Sequence, residues 1–328
     1  MTQIINTADL AIEQSLACLP LLYPQLELLP GTGIITYRGQ DNQSIPILSG
    51  GGSGHEPAHA GYVGQGMLTG AVAGSLFQPP KSEEILRAIH KLHQGKGVFL
   101  IVKNFEADLA EFGRAIQIAR KEEIPIKYIV SHDDISIDSP HFQVRHRGVA
   151  GTILLHKILG EAARQGASLE QLEAIGLELS TNIATLGVAT RSATLPGQEE
   201  PIFDLLEKHI SFGIGIHGEA GYKTEPFQSS EQLAIELVNK LKLKFHWKEK
   251  ERYILLINNL GATSKMEELI FTNDVLQLLE LEGLQIPFIK TGHLITSLDM
   301  AGLSVTLCPI KQDFWLDYLQ AETDAFAW

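Results

Sequence analysis

Cysteine is nearly absent from this 328-residue sequence, which contains only Cys18 and Cys308. Two cysteines so far apart exclude a disulfide framework, a CxxC redox pair and a cysteine-rich zinc site. We therefore predict a reducing, cytoplasmic setting. The first residues, from Met1 to Asn6, do not form a basic stretch followed by an apolar one, so no signal peptide is predicted.

Long apolar runs and an excess of positive charge are also missing. No uninterrupted apolar stretch approaches the roughly 20 residues that a membrane helix needs. The 26 lysines and arginines are outnumbered by 39 aspartates and glutamates, which gives a net charge of −13. Non-specific binding to nucleic acid needs clustered basic residues. The sequence thus predicts no membrane partner and no direct nucleic-acid partner.

Apolar residues make up 44% of the chain and charged residues 20%, which is enough for a large globular core. Strand-like runs at 45–49, 97–102 and 126–130 alternate with helix-like segments at 82–94 and 108–122. This alternation is typical of βαβ units and predicts a mainly parallel sheet with flanking helices. The length favours about two α/β domains.

The second half of the chain has shorter, glycine-flanked strands. Helices are predicted at 150–165, 168–180, 230–243 and 266–282, and strands at 186–190, 212–216, 253–257 and 302–309. We predict an N-terminal α/β domain over residues 1–182, which carries a glycine-rich loop. A C-terminal α/β domain with a mixed sheet and helices would then cover residues 183–328.

The densest functional signal is the segment from Ser49 to Pro57, with four glycines at the end of the first predicted strand. Glycine lets a ligand approach backbone N–H groups, and ligands of open α/β sheets bind at the carboxyl ends of strands. The same segment also fits a plain tight turn. It matches neither a Walker A loop nor Gly-x-Gly-x-x-Gly nor Gly-x-Ser-x-Gly, so neither a nucleotide site nor a serine hydrolase is predicted.

Polar residues follow two other predicted strands, at 103–108 and at 217–219. Taken singly, Asp108 is typical of a helix N-terminus and His217 of a structural or surface histidine. Three polar clusters at strand ends favour one shared pocket. The other histidines, among them His156, have no companions at metal-ligand spacing. For these we predict mostly solvated rings and no metal site.

Four separated motifs resemble the dihydroxyacetone kinase K-subunit family. They are LSGGGSGHEP at 48–57, GIGIHGE at 213–219, NNLGAT at 258–263 and TSLDMAG at 296–302. The similarity runs nearly end to end and includes RGVAG at 147–151. The resemblance implies a homodimer of two-domain α/β subunits that binds dihydroxyacetone.

In that family, the histidine that matches His217 adds through a ring nitrogen to the ketone and forms a hemiaminal. The resemblance also implies that Asp108 and His55 form an acid/base pair, with Asp108 accepting a proton from the hydroxyl that is phosphorylated. The positions that would contact the ligand are Gly52, Ser53, Lys103, Asp108 and His217. The nucleotide and Mg²⁺ would belong to a separate L-type subunit, so no cofactor is expected on this chain.

Several positions depart from the family pattern. The family's usual Lys-Asn-Tyr-Thr-Gly-Asp reads KNFEAD at 103–108, which loses two hydroxyls and adds the carboxylate of Glu106. Two like charges about 4 Å apart repel by about 4 kcal/mol at an effective dielectric constant near 20, so Glu106 would disfavour an approaching phosphate. Further departures lie at Gln78, Pro79, His132, His146 and Ala220.

The family includes paralogues that bind dihydroxyacetone and then a TetR-like activator of the kinase operon. Because the capture residues persist while their neighbours change, we favour such a coactivator. The alternative is the catalytic K subunit, which would phosphorylate dihydroxyacetone together with an L-type partner. A carbonyl-binding protein for another short ketone or aldehyde is the third possibility.

Overall fold

The computed structural model describes residues 3–136 and 146–328. Within these ranges the helices are α1 (Ala11–Leu22), α2 (Ser82–Leu92), α3 (Glu106–Lys121), α4 (Thr152–Arg164), α5 (Leu169–Asn182), α6 (Ser230–Phe245), α7 (Lys265–Leu281) and α8 (Asp313–Gln320). The strands are β1 (Leu26–Leu28), β2 (Ile34–Tyr37), β3 (Ile47–Ser53), β4 (Gly70–Leu76), β5 (Val98–Lys103), β6 (Ile126–Ser131), β7 (Ala184–Arg191), β8 (His209–Phe212), β9 (Lys223–Pro226), β10 (Arg252–Asn259), β11 (Gln285–Gly292) and β12 (Ala301–Pro309).

The first sheet has the strand order β1-β2-β4-β3-β5-β6. β3 pairs in parallel with β4 and β5, and β5 pairs in parallel with β6. β1 and β2 add an antiparallel edge. Every residue of β3 and β5 is buried, as expected for strands that are covered on both faces. The predicted mainly parallel sheet is therefore confirmed.

The second sheet is mixed, as predicted, with the order β11-β10-β12-β7-β8-β9. Its parallel pair is β10 with β11, and the other neighbours are antiparallel. Helices α6 and α7 bury Leu237 and Phe271 in the core of this sheet. Helix α5 begins with a capping box, because Ser168 accepts from the backbone of Gln171 and the Gln171 side chain accepts in return.

Helix α4 is buried from Thr152 to Ala163, and only its last residue, Arg164, is exposed. One continuous core contains its Leu154 together with Ile101 of the first sheet and Ile254 of the second. The two halves therefore share a hydrophobic core. The predicted boundary between 182 and 183 falls between α5 and β7 and stays a prediction.

The predicted strand at 212–216 is wrong. β8 ends at Phe212, because Gly213 adopts a left-handed φ of 75° and turns the chain out of the sheet. Ile214 and Ile216 are buried in two hydrophobic clusters although they lie outside a strand, which is why their apolar pattern imitates one. His217 consequently lies on a loop. Among the described residues, no helix has the length and apolar content to cross a membrane.

Candidate functional site

The three polar clusters predicted from the sequence meet at one edge of the first sheet. Lys103 is the last residue of β5, Asp108 lies in the first turn of α3, and the neighbouring parallel strand β3 ends at Ser53. The loop after β8 brings the His217 ring to 4.8 Å from the His55 ring, centroid to centroid. The structure thus assembles residues that the sequence spreads over more than half of the chain.

The glycines after Leu48 serve different purposes. A Cβ atom on Gly51 would lie 2.7 Å from the Lys103 amine and 3.4 Å from Asp108 Oδ1, so this glycine opens the space before that pair. A Cβ on Gly52 or Gly54 would instead collide with Phe77 or the backbone beside it. Much of the glycine-rich motif at 49–57 therefore serves the close packing of residues 77–78 rather than ligand binding. The Ser53 hydroxyl donates to the carbonyl of Gly74 at 2.7 Å.

His217 is oriented by Glu219. Its ring Nδ1 lies 3.0 Å from Glu219 Oε1, and its backbone N–H donates to Oε2 at 3.0 Å. Burial raises the pKa of Glu219, but the hydrogen bond and charge of His217 and the charge of Arg147 outweigh it and lower the pKa to about 2. The ionised carboxylate can only accept, so Nδ1 carries a proton, and the tautomer of the neutral ring that this bond selects has its lone pair on Nε2.

Arg147 fixes the loop that carries His217. Its guanidinium donates to Asp134 at 2.6 Å, to Ser136 at 2.7 Å and to the carbonyl of Gly213 at 2.9 Å, and its Nη1 lies 3.7 Å from Glu219. The sequence motifs contain Arg147 and Glu219, but their pattern alone did not indicate these positioning contacts.

His55 is fully buried, and its Nδ1 lies 2.7 Å from the carbonyl oxygen of Thr296. A carbonyl only accepts, so Nδ1 donates and Nε2 is the acceptor nitrogen. Burial, followed by the charges of Lys103 and His217, lowers the pKa of His55 well below 6.5. Nε2 has no hydrogen-bond partner in the part of the chain that the structure describes. A neutral acceptor nitrogen is therefore available beside His217.

Lys103 and Asp108 are both buried beside Gly51, with 1% and 4% of their surface exposed. Burial raises the pKa of Asp108, opposed by the charges of Lys103 and His217. Burial lowers the pKa of Lys103, opposed by Asp108 and Glu219. Asp108 Oδ1 has no hydrogen-bond partner among residues 3–136 and 146–328. Such a buried oxygen is costly unless a ligand donates to it.

Aromatic rings surround His217, an arrangement that the sequence pattern did not indicate. The rings of Phe105 and Phe77 lie 4.6 Å and 5.3 Å from the imidazole, centroid to centroid, each inclined by more than 60°. His55 stacks on Phe77 at 4.9 Å. Phe77 also holds a left-handed φ of 54°, an unfavourable conformation for a residue with a bulky side chain.

The prediction that His156 is solvated is wrong. His156 is fully buried on α4, and its ring packs edge-on against that of His59 at 5.1 Å. The reason is that α4 lies in the hydrophobic core shared by both sheets, which the apolar periodicity of the helix did not reveal. Of the altered neighbours, Glu106 is exposed at the start of α3, and Asn104 donates to the carbonyl of His146 at 2.8 Å.

Comparison with known proteins gives consistent similarities. The model of the Dak1 domain matches residues 18–327. The DhaKLM operon coactivator DhaQ of Lactococcus lactis is 56% identical over 98% of this chain and 99% of its own. The dihydroxyacetone-binding subunit DhaK of the PTS-dependent dihydroxyacetone kinase of Lactococcus lactis is 42% identical over 99% and 98%. A solved structure of the dihydroxyacetone kinase operon co-activator Dha-DhaQ superposes with a TM-score of 0.93 and 56% identity, covering 96% of this chain and 98% of that one.

Proposed function

The chain belongs to the Dak1 domain family, and from this we propose that it captures dihydroxyacetone as a hemiaminal on His217 and serves as a coactivator of a TetR-like activator of the dihydroxyacetone kinase operon. The observation that carries the capture is the orientation of one ring. Because Glu219 holds Nδ1 as a donor, Nε2 of the neutral His217 ring has the lone pair and can act as a nucleophile in a site with buried hydrogen-bonding groups.

The capture is a simple addition. The lone pair of Nε2 forms a bond to the ketone carbon, the π electrons of the carbonyl move to oxygen, and that oxygen takes up one proton to become a hydroxyl. The ring, now substituted on Nε2 and protonated on Nδ1, carries a positive charge. The ionised Glu219 lies opposite that charge at 3.0 Å and stabilises it.

The other buried groups match the rest of the ligand. Asp108 Oδ1 and His55 Nε2 can each accept a hydrogen bond, and the ligand offers hydroxyl groups that donate. The Lys103 amine lies beside Gly51, as Asp108 Oδ1 does, and can donate to an oxygen of the ligand. Glycerol has the hydroxyls but no carbonyl, so it would lack the covalent bond.

Two observations favour a coactivator over a kinase subunit. The identity to the coactivator relative is 56%, against 42% to the kinase subunit from the same organism. The second is the segment of Phe105, Glu106 and Ala107, which places an exposed carboxylate at the start of α3 next to the site. A carboxylate there would repel the phosphates of a nucleotide carried by a partner.

A ligand-dependent pull-down tests the coactivator. The protein is immobilised and exposed to the TetR-like activator with dihydroxyacetone, with glycerol, or with neither. We expect retention of the activator with dihydroxyacetone alone, because the adduct would stabilise the conformation that binds it. Equal retention in all three conditions would contradict a sensing role.

The second candidate is the catalytic K subunit. It is favoured by the buried Asp108 Oδ1, which has no partner among the described residues and could accept a proton. Its nucleotide and Mg²⁺ would be carried by a separate L-type subunit. Mixing the protein with an L-type subunit, its phosphoryl source and dihydroxyacetone distinguishes the catalytic subunit from the coactivator. Turnover at an ordinary kinase rate would refute the purely sensing role, and its absence with every cognate partner would refute the catalytic one.

Restoring the family residues should move the protein toward catalysis. We expect the triple variant Phe105→Tyr, Glu106→Thr and Ala107→Gly to raise turnover with an L-type subunit by at least about tenfold, because it removes the carboxylate and restores two hydroxyls. The measurement is the rate of dihydroxyacetone phosphate formation. Adding Asp108→Ala to the triple variant is the control, since it should remove turnover and leave the adduct on His217. An unchanged rate in the triple variant would mean that this segment does not decide the function.

A further inference from the structure

We infer that Phe77 and Phe105 determine the specificity of the site by limiting its carbonyl ligand to three carbons. This inference rests on the proposed capture by His217 and concerns what that capture admits. It starts from an arrangement that hydrogen bonding does not explain, namely two phenyl rings packed against the imidazole that would hold the ligand.

The packing leaves little space around the ring. Centroid separations of 4.6 Å to Phe105 and 5.3 Å to Phe77 are in the range of direct aromatic contact. His55 fills a further side of the imidazole at 4.8 Å. A ligand bonded to Nε2 must therefore fit between these rings and the pair formed by Lys103 and Asp108.

Both phenylalanines are held firmly in place. The Phe77 backbone N–H donates to the carbonyl of Ser53 at 3.0 Å, and Gly52 and Gly54 supply the room that this approach requires. The left-handed φ of Phe77 costs energy, which the surrounding contacts must offset. The Phe105 N–H donates to the carbonyl of Lys103 at 2.9 Å, and the Lys103 amine lies 5.6 Å from the centroid of the Phe105 ring.

The polarity of a longer ketose adds to the steric limit on the ligand. A ketose with four carbons has one more carbon and one more hydroxyl than dihydroxyacetone. A phenyl ring offers no strong hydrogen-bonding group, so an additional hydroxyl placed against Phe77 or Phe105 would lose its bonds to water without replacement. The longer ketose would thus be rejected by both its size and its polarity.

The experiment measures adduct formation with two ketoses, dihydroxyacetone and the four-carbon erythrulose, each labelled with carbon-13 at the carbonyl. In the adduct, the labelled carbon signal moves from the ketone region to the tetrahedral region of the spectrum. We expect the wild type to bind dihydroxyacetone in strong preference to erythrulose. Phe105→Ala should shift the ratio of the two affinities toward erythrulose by about tenfold or more, in line with the usual effect of small changes in pocket size.

Further variants serve as controls for misfolding and for effects that any phenylalanine substitution would have. Phe105→Leu keeps an apolar side chain and should give a smaller shift in the same direction, and Phe77→Gly removes the second ring at a position whose φ suits glycine. Phe227→Ala changes an exposed phenylalanine outside these ring contacts and should leave the ratio unchanged. A wild type that forms no adduct with dihydroxyacetone would refute the proposed capture itself. A wild type that binds both ketoses equally, or variants with an unaltered ratio, would refute the size limit alone.

Discussion

Replacing His217 with asparagine is expected to weaken retention of dihydroxyacetone by at least about a hundredfold, equivalent to roughly 3 kcal/mol, and to remove the tetrahedral carbon signal completely. The amide of asparagine is not a nucleophile toward a ketone, so no covalent bond can form. It can still donate to Glu219 as Nδ1 does in the native ring, so the loop should keep its shape.

The same experiment separates covalent capture from ordinary binding. His209→Asn changes a histidine whose ring nitrogen contacts a backbone carbonyl in its own segment, and it should leave the adduct intact. Glu219→Gln should give an intermediate loss, because a neutral amide no longer enforces the proton on Nδ1. Persistence of the tetrahedral signal in the His217→Asn protein would refute both the coactivator and the kinase proposals, since each depends on this adduct.

The stability of the protein should fall steeply in mild acid. His55, His59 and His156 are buried, and burial lowers the pKa of each ring, that of His156 to about 3. Below pH 6.5 the unfolded chain binds protons at these rings and the folded chain does not, so the free energy of unfolding decreases as the pH falls. Each ring contributes up to about a tenfold change in the folding equilibrium per pH unit, and the three together up to about 4 kcal/mol per unit, a limit approached at about one pH unit below 6.5.

Urea denaturation at several pH values between 7.5 and 5 measures this slope. His156→Phe removes one of the three rings and should reduce the slope by about a third, whereas His246→Gln, at an exposed position, should not alter it. In the His156→Phe protein, His55 and His59 still have lowered pKa values, so its free energy of unfolding should still decrease clearly as the pH falls. A stability that stays constant between pH 6.5 and 5 would show that these histidines are not neutral in the folded protein.

The strands and helices with a strong local pattern could be predicted from the sequence. β5 and β10 are continuous apolar runs, and α2 buries Ile85, Ile89 and Leu92 at helical spacing. The short strands β1, β2 and β9 could not be predicted, because they are three or four residues long and mostly owe their conformation to a neighbouring strand. The loop at 213–216 imitated a strand because tertiary packing buries its isoleucines.

The candidate site was predictable only in part. Strand ends meet at a common edge, so the proximity of the polar clusters at 49–57 and 103–108 follows from the predicted parallel sheet. The contact of Phe77 with His217, and that of Arg147 with Gly213, join segments far apart in sequence and have no local signature. The residues alone left His217 open as a structural histidine, and the resemblance to a family supplied its suggested role.

The burial of α4 in the hydrophobic core that both sheets share limits how a bound ketone could be signalled. A helix that packs into both halves removes the flexible connection that hinge closure requires, since one hydrophobic core would have to be broken. Recognition of the protein with bound ketone would then depend on groups at the rim of the ligand site, by which we mean Glu219 and Glu106, whose side chains reach solvent. A protein partner would have to touch this rim directly, and a basic surface would suit it best.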